Sequence, residues 1–142
     1  MRTLGIDFGK KRVGIAISDP LGLTAQPLDV LENNRHLIPR IKAICKEKEV
    51  SLIVLGLPKS LSGELNASAQ DAIAFSEKLK TRIDIPVEMY DERLSTTAAQ
   101  QTFRQTGVSE KNGRSSIDKV AAAVILSDYL DRKRNESRTK SI

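Results

Sequence analysis

The segment 51–55, which reads SLIVL, constrains the fold most because four of its five residues are apolar in succession. A strand with apolar side chains on both faces belongs inside a sheet that is covered on both sides. Gly56 and Pro58 end this strand, and apolar residues recur at helical spacing before it, over 34–48, and after it, over 65–80. The sequence therefore predicts an α/β fold with a buried strand at its centre.

Three β-type segments precede the central strand. Residues 2–6 and 12–18 flank a short polar turn that contains Gly9, which is typical of an antiparallel hairpin, and residues 25–31 provide a third strand. The order so far is a three-stranded antiparallel meander. It leads directly into the first predicted helix.

Helices and strands alternate after the meander. Residues 86–90 form a further short strand, Ser95 caps a helix that ends before Gly107, and Ser115 or Ser116 caps a last helix over 117–131. The predicted fold class is a five-stranded mixed sheet, a three-strand antiparallel meander and then alternating helices and strands, with helices on both faces.

Length and composition exclude several classes of protein. The 142 residues suit one domain with one sizeable core. No apolar run approaches the ~18 residues that a membrane-spanning helix needs, and Asp7 falls where a signal peptide requires apolar residues. The single cysteine, Cys45, excludes an internal disulfide and a Cys-rich zinc site, and its helical neighbours predict a small core residue. We therefore expect a cytoplasmic protein that has no contact with membranes.

The formal net charge of +5 is concentrated at the C-terminus. The last eleven residues, 132–142, contain five basic side chains and one acidic side chain. We therefore expect a folded domain over 1–131 and a basic, disordered tail over 132–142. Such a tail either contacts phosphates non-specifically or only increases solubility, and the sequence favours neither interpretation.

Acidic residues lie at the ends of three apolar segments, where an unpaired charge would be costly to bury. Asp7 follows the first strand, Asp91 and Glu92 follow the strand at 86–90, and Asp118 begins the last helix. If the first and fifth strands end at the same edge of the sheet, Asp7 and Glu92 converge. The small residues that follow Asp118 would let its helix approach closely enough to add a third carboxylate.

Carboxylates that share a cleft repel each other, and a divalent cation is the usual way to stabilise them. Oxygen ligands without histidine or cysteine favour Mg²⁺ or Mn²⁺ over zinc. Two such ions can activate a water and stabilise the leaving oxygen in phosphodiester cleavage. The only histidine, His36, is distant in sequence from all of these acids, so histidine general-base chemistry has no support.

Each acid also has a purely structural interpretation. Asp7 can accept backbone hydrogen bonds in a turn, and Asp118 can form a capping box with Ser115 or favour the positive end of the helix. One of Asp91 and Glu92 can be a solvated loop residue, and spacing alone does not say which. The three placements together are what indicates a site.

Four stretches resemble the YqgF/RuvX family in order, spacing and total length: 4–16 (LGIDFGKKRVGIA), 56–58 (GLP), 91–96 (DERLST) and 118–122 (DKVAA). The resemblance implies an RNase H-like fold and a metal-dependent nuclease. Members of the family are described as Holliday-junction resolvases and as nucleases that process the 5′ end of pre-16S ribosomal RNA. By motif match, Asp7, Glu92 and Asp118 would be the catalytic, metal-binding acids, and Arg93 would lie beside them on the substrate path.

Basic residues near these motifs are candidates for binding phosphates. Lys10, Lys11 and Arg12 flank Asp7 in the first hairpin, although the two lysines can equally be solvated turn charges. The loop before the last acid is basic in the family, and here it contains Lys111 and Arg114. Aromatic residues make up only 4% of the chain, which disfavours a platform of stacked single-stranded bases and favours a structured or duplex substrate.

The favoured hypothesis is therefore a metal-dependent endonuclease that acts on structured nucleic acid, with precursor ribosomal RNA as substrate. Resolution of branched four-way DNA is the alternative within the same chemistry. A resolvase that cuts two strands symmetrically should act as a homodimer, whereas trimming of RNA at one site can use a monomer. A non-catalytic nucleic-acid-binding module on the same fold is a further alternative. An actin-like ATPase or kinase opens with a similar first motif, but it needs a second domain that 142 residues do not supply.

Overall fold

The computed structural model describes residues 2–57, 67–91 and 113–140, and within the last range it describes the side chains of 120–135. The strands are β1 (Arg2–Phe8), β2 (Arg12–Ser18), β3 (Ala25–Glu32), β4 (Val50–Leu57) and β5 (Val87–Asp91). The helices of these ranges are α1 (Leu37–Glu47), α2 (Ala67–Arg82) and α3 (Gly113–Lys140). In the described part of the chain, no helix has the length and apolar character needed to cross a membrane.

The five strands form one mixed sheet in the order β3-β2-β1-β4-β5. β1, β2 and β3 pair antiparallel as a meander, whereas β4 runs parallel to β1 and β5 runs parallel to β4. The predicted fold class is confirmed, and the apolar run at 51–55 lies in β4, between β1 and β5. The predicted helix from Ser95 lies outside the described residues.

Tight turns connect the strands of the meander. A Cβ atom on Gly9 would lie 2.5 Å from the carbonyl oxygen of Arg12, so the β1–β2 turn has room for glycine alone. The β2–β3 turn is closed by Asp19, whose Oδ1 accepts hydrogen bonds from the backbone N–H groups of Leu23 and Thr24 at 2.7 and 2.9 Å. These bonds, led by that from Thr24, lower the pKa of the Asp19 carboxyl.

Helices cover both faces of the sheet, and each face has its own buried cluster. On the α2 face, side chains of α1 and α2 pack against large apolar residues of the strands; the cluster includes Leu4, Ile6, Val13, Ile15, Ile41, Cys45, Ile53, Leu55, Phe75 and Leu79. On the α3 face, the cluster is Ala16, Val54, Tyr90, Ala122, Ala123, Ile125, Leu126, Tyr129 and Leu130. Cys45 is buried as predicted, and burial raises the pKa of its thiol to about 11.

The last helix differs from its prediction at both ends. It begins at Gly113, so neither Ser115 nor Ser116 caps it, and it continues to Lys140 rather than ending near residue 131. A serine cap is worth only about 1 kcal/mol, which is too little to set the boundary of a helix whose middle is buried against a sheet.

The segment expected to be a disordered tail is therefore helical through Lys140. Charged side chains in its first turn support this extension. Arg132 pairs with Asp128 four residues earlier at 3.3 Å, Arg134 pairs with Asp131, and the ammonium of Lys133 lies 5.5 Å from the centre of the Tyr129 ring. The basic composition indicated disorder, but such pairs at helical spacing also favour a helix.

Candidate functional site

The carboxyl ends of β1, β4 and β5 meet at one edge of the sheet because these three strands are parallel. Ile6 is in register with Leu55 of β4, and Leu55 is in register with Met89 of β5. Asp7 follows Ile6, and Asp91 is the last residue of β5. The first and fifth strands therefore end at the same edge of the sheet, which is the condition that the sequence analysis set.

Asp7 lies on the α3 face of this edge. Side chains alternate along a strand, and Leu4 and Ile6 belong to the cluster on the α2 face, as does the ring of Phe8, which stacks on Phe75. Gly5 contacts α3 from the other face. The half-buried Asp7 carboxylate shares that face with Gly5.

Gly5 permits the close approach of α3 to β1. A Cβ atom at Gly5 would lie 2.8 Å from Cβ of Leu126 and 3.2 Å from the carbonyl oxygen of Ala122, so a side chain there would displace the helix. Asp118 is in the same helix four residues before Ala122, which is about one turn along the same helical face. The backbone of the third predicted acid is therefore about one helical turn from the contact with β1.

Asp91 lies on the opposite face from Asp7. Its neighbour Tyr90 belongs to the cluster on the α3 face, whereas Met89 packs against the clusters on the α2 face. By alternation, Asp91 points with Met89. The structure therefore separates Asp91 from Asp7, although β1 and β5 end at the same edge of the sheet with β4 between them.

A polar contact that the sequence analysis missed joins β5 to α3. The Tyr90 hydroxyl donates a hydrogen bond to the Asp128 carboxylate and accepts one from Nε of Arg132 at 2.8 Å. Asp128 is only 5% exposed. Burial and, after it, the neighbouring Asp128 carboxylate raise the pKa of Tyr90, which stays protonated as a donor.

A second tyrosine makes the reciprocal contact. Tyr129 of α3 donates a hydrogen bond to the carboxylate of Glu88 in β5, and its ring meets that of Tyr90 edge-on at 6.1 Å between centroids. Among the described strands, β5 pairs with β4 alone, and these side-chain contacts attach it to α3 on one face of the sheet. The sequence feature that could have indicated the contacts between β5 and α3 is Asp128, an acidic residue within the apolar part of the last helix.

The predicted phosphate-binding residues are only partly described. Lys10 and Lys11 are exposed in the β1–β2 turn, and Arg12 is half-buried at the start of β2. Arg114 lies in the first turn of α3, but its side chain is outside the described residues. Arg93 and Lys111 lie outside them altogether.

Of the three predicted catalytic acids, only Asp7 has a described side chain; Glu92 is outside the described residues, and Asp118 is described by its backbone alone. Among the side chains of 2–57, 67–91 and 120–135, no group of three His, Cys, Asp or Glu residues could hold a metal ion. His36 is exposed at the N-cap of α1.

Comparison with known proteins identifies the family. A model of the RuvX family, described as "Holliday junction resolvase", matches residues 1–132. The chain belongs to the RuvX family. A relative from Geobacillus kaustophilus is 46% identical over 138 residues, which cover 94% of this chain and all of the relative. A relative from Listeria monocytogenes is 43% identical over 135 residues, which cover 92% of this chain and 98% of the relative. Both carry the name "Putative pre-16S rRNA nuclease".

Solved structures with low sequence identity share the fold of this RuvX-family chain. Thermus thermophilus RuvC in complex with a Holliday junction substrate superimposes with a TM-score of 0.59 at 16% identity, over 94% of this chain and 96% of RuvC. Fowlpox virus resolvase bound to Holliday junction DNA gives a TM-score of 0.58 at 14% identity, over 94% and 99% of the two chains. The fold is therefore RNase H-like, as the resemblance to the family implied.

Proposed function

We propose that this RuvX-family chain is a nuclease that hydrolyses phosphodiester bonds in structured RNA, with the 5′ end of pre-16S ribosomal RNA as its substrate in the cytoplasm. The observation that carries the proposal is the position of Asp7, a half-buried carboxylate at the carboxyl edge of the sheet on the α3 face. The names of relatives more than 40% identical along almost their whole length support the substrate.

The proposed catalytic acids are Asp7, Glu92 and Asp118. Asp118 begins the turn of α3 that precedes the contact with Gly5. Asp91 ends β5 on the α2 face, opposite to Asp7, which disfavours Asp91 as the partner of Asp7, and the motif match to the family supports Glu92 instead. In this proposal, Asp7, Glu92 and Asp118 act together on the α3 side of the sheet.

These residues fit a divalent metal, Mg²⁺ or Mn²⁺. The donors are carboxylate oxygens only, which such hard cations prefer. A bound ion would supply activation of the attacking water and stabilisation of the leaving oxygen. The chain itself holds the carboxylates on rigid elements: Asp7 in a strand hydrogen-bonded on both sides, and Asp118 in a helix packed against that strand.

Cations around this edge are proposed to bind the backbone of the nucleic acid. Lys10 and Lys11 in the first turn, Arg12 at the start of β2, and Arg93, Lys111 and Arg114 from the two later motifs supply the positive charge. Contacts of this type position a substrate without reading its sequence.

Cleavage assays test the proposal on wild type and Asp7→Asn, with precursor 16S RNA and a four-way DNA junction, each with Mg²⁺ or Mn²⁺. We expect RNA cleavage by the wild type and a loss of at least about a hundredfold in Asp7→Asn with the fold intact, since the substitution removes a carboxylate that would hold the metal ion. Asp84→Asn, at an exposed turn, is the matched control and retains wild-type rates. Wild-type activity in Asp7→Asn would remove this residue from the mechanism.

Holliday-junction resolution is the second candidate, favoured by the description of the family model and by the junction complexes among the structural neighbours. It predicts faster cleavage of the junction than of the RNA and a homodimer in solution, since two symmetric cuts need two active sites. Binding of either substrate without cleavage in any divalent ion would instead identify a non-catalytic module.

A further inference from the structure

An open cleft of about 390 Å³ adjoins the end of β1 on the face opposite Asp7. Phe8, the residue after Asp7, lines it together with Phe75; two lysines, Lys10 and Lys78, also line it, as do Asn33 and Asp71. Since Asp7 and Phe8 are consecutive at the end of a strand, the cleft begins one residue from the proposed catalytic carboxylate. The volume is at the small end of the range for ligand sites.

The wall of the cleft that carries Lys10 is held in place by Asn33. The side-chain amide of Asn33 donates a hydrogen bond to the carbonyl oxygen of Gly9 at 2.8 Å, and its backbone N–H donates one to the carbonyl oxygen of Lys11 at 2.9 Å. These two bonds tie the β1–β2 turn to the end of β3. The turn is therefore set in position before any ligand arrives, which lowers the entropy cost of binding.

The base of the cleft is aromatic. The rings of Phe8 and Phe75 stack with centroids 4.4 Å apart and planes 25° from parallel. Phe75 is buried in α2, whereas Phe8 is only half-buried and keeps part of its ring accessible. A sugar or a base can pack against such a surface, since every base has a π-face.

The two lysines of the cleft are available for an anion. Within the described residues, neither Lys10 nor Lys78 forms an ion pair, although both share the cleft with Asp71 and both are exposed. Lys80, two residues further along α2, does pair with Glu77 at 3.8 Å. In the same helix, therefore, Lys80 has a carboxylate partner, whereas Lys78 faces the open cleft.

We infer that this cleft binds one nucleotide of the substrate strand next to the cleaved phosphate, with its sugar and base against Phe8 and its flanking phosphates at Lys10 and Lys78. The strand would cross the sheet edge from the α3 face, where Asp7 lies, to the α2 face. The inference rests on the proposed nuclease function and deepens it. A single nucleotide in this cleft is compatible with the low aromatic content that disfavoured an extended stacking platform.

The test measures binding of a fluorescent RNA with a single-stranded extension to the inactive Asp7→Asn protein over a series of salt concentrations. In that background, Lys10→Gln with Lys78→Gln removes the cleft cations, and Lys42→Gln with Lys80→Gln is the matched control with the same net charge on exposed helix positions. We expect the cleft pair to weaken binding at least about tenfold and to lower the slope of log K against log salt by about 1.4, from about 0.7 per lost single-strand phosphate contact. The control keeps the parent slope.

The outcomes separate the two proposals. If Asp7→Asn binds the RNA and the cleft pair binds as tightly as the control pair, the cleft inference is wrong and the nuclease proposal stands. If Asp7→Asn does not bind and the wild type cleaves neither RNA nor junction DNA, both are wrong.

A second measurement tests the aromatic contact without disturbing charge. In the Asp7→Asn background, Phe8→Leu keeps an apolar side chain but removes the ring, and we expect it to weaken RNA binding about threefold to tenfold while leaving the salt slope unchanged. Competition with uridine monophosphate and with inorganic phosphate distinguishes the ligand. Displacement of the RNA by the nucleotide at lower concentration than by phosphate supports the inference, whereas equal displacement would reduce the cleft to an anion site and overturn it.

Discussion

The two faces of the sheet are built from different side chains. On the α2 face, long apolar residues of the strands pack against those of α1 and α2. On the α3 face, the strands contribute small residues such as Gly5 and Ala16, the helix contributes Ala122 and Ala123, and tyrosine hydroxyls and carboxylates close the contact at β5.

This difference separates the sources of stability from the proposed site. Burial of large apolar side chains is the main favourable contribution to folding, and the α2 face contains most of it. Small residues on the α3 face let the backbones of β1 and α3 approach, and that is the face on which Asp7 lies. Loss of side-chain volume should therefore be the more damaging change on the α2 face, and added volume the more damaging change on the α3 face.

The largest expected effect is the loss of a large side chain from the α2 face. Leu79 of α2 is completely buried, and Leu79→Ala should lower the free energy of unfolding by about 2–5 kcal/mol because it leaves a cavity. Urea denaturation measures this. Leu21, which is 79% exposed, provides the control: Leu21→Ala should change stability by less than about 0.5 kcal/mol. Equal effects at the two positions would contradict the description of this core.

Added volume should be costly on the α3 face. Gly5→Ala places a Cβ against Leu126 and the Ala122 carbonyl, and we expect a loss of about 1–3 kcal/mol in urea denaturation because the helix must shift. The same shift would move Asp118 relative to Asp7. At a temperature where both variants are folded, cleavage should therefore fall further in Gly5→Ala than in Leu79→Val. Unchanged or increased stability of Gly5→Ala would mean that the close approach of helix and strand is not needed.

The two tyrosine contacts between β5 and α3 should differ in strength. Tyr90→Phe removes the donor to a buried carboxylate, and we expect a loss of about 1.5–3 kcal/mol, typical of a hydrogen bond to a charged group. Tyr129→Phe removes the donor to Glu88, which is exposed and regains water, so about 0.5 kcal/mol is expected. Thermal unfolding of both variants, each with its ring retained, measures the difference. A larger loss of stability in Tyr129→Phe than in Tyr90→Phe would contradict the conclusion that the contact of Tyr90 with Asp128 is the buried one.

The smallest effect concerns pH and the α2 face. Burial raises the pKa of the Cys45 thiol to about 11, above its unfolded value, so the folded state favours the protonated thiol. The stability that the protonated Cys45 thiol contributes to the folded state is fully present below pH ~8.5, the ordinary thiol pKa, and is lost as the pH rises toward 11. The stability difference between wild type and Cys45→Ala should therefore shift by about 1 kcal/mol against the wild type from pH 8 to pH 9.5. A difference that does not vary with pH would show that the thiol is accessible to water.

The order and type of the described elements could be read from local patterns. Alternating residues at 12–18 predicted β2, the continuous apolar run predicted the central β4, and helical spacing predicted α1 and α2. Each of these depends on a repeat of side-chain character within a few residues. The boundaries of α3 were wrong because long-range burial and ion pairs outweighed the local cap and charge signals.

The site could be predicted only as a set of positions. Acids at the ends of apolar segments indicated Asp7, Asp118 and one of Asp91 and Glu92, and the resemblance to the family selected Glu92. The described backbone brings the elements of Asp7 and Asp118 together. The role of Asp128 was not predicted because a single acid in a long helix ordinarily faces solvent. The cleft was missed for a related reason: Asn33, Asp71 and Lys78 are far from Phe8 in the sequence and carry no shared motif.

Local periodicity and motif spacing, which are properties of the sequence, determined the mixed α/β sheet and the family to which the chain belongs. The tertiary structure decided which face each side chain occupies at the carboxyl edge, and so separated Asp91 from Asp7 and placed the aromatic cleft on the other side. The physical reason is that the alternation of side chains between the two faces of a strand is a local property. Which helix covers each face depends instead on contacts between segments that are distant in the chain.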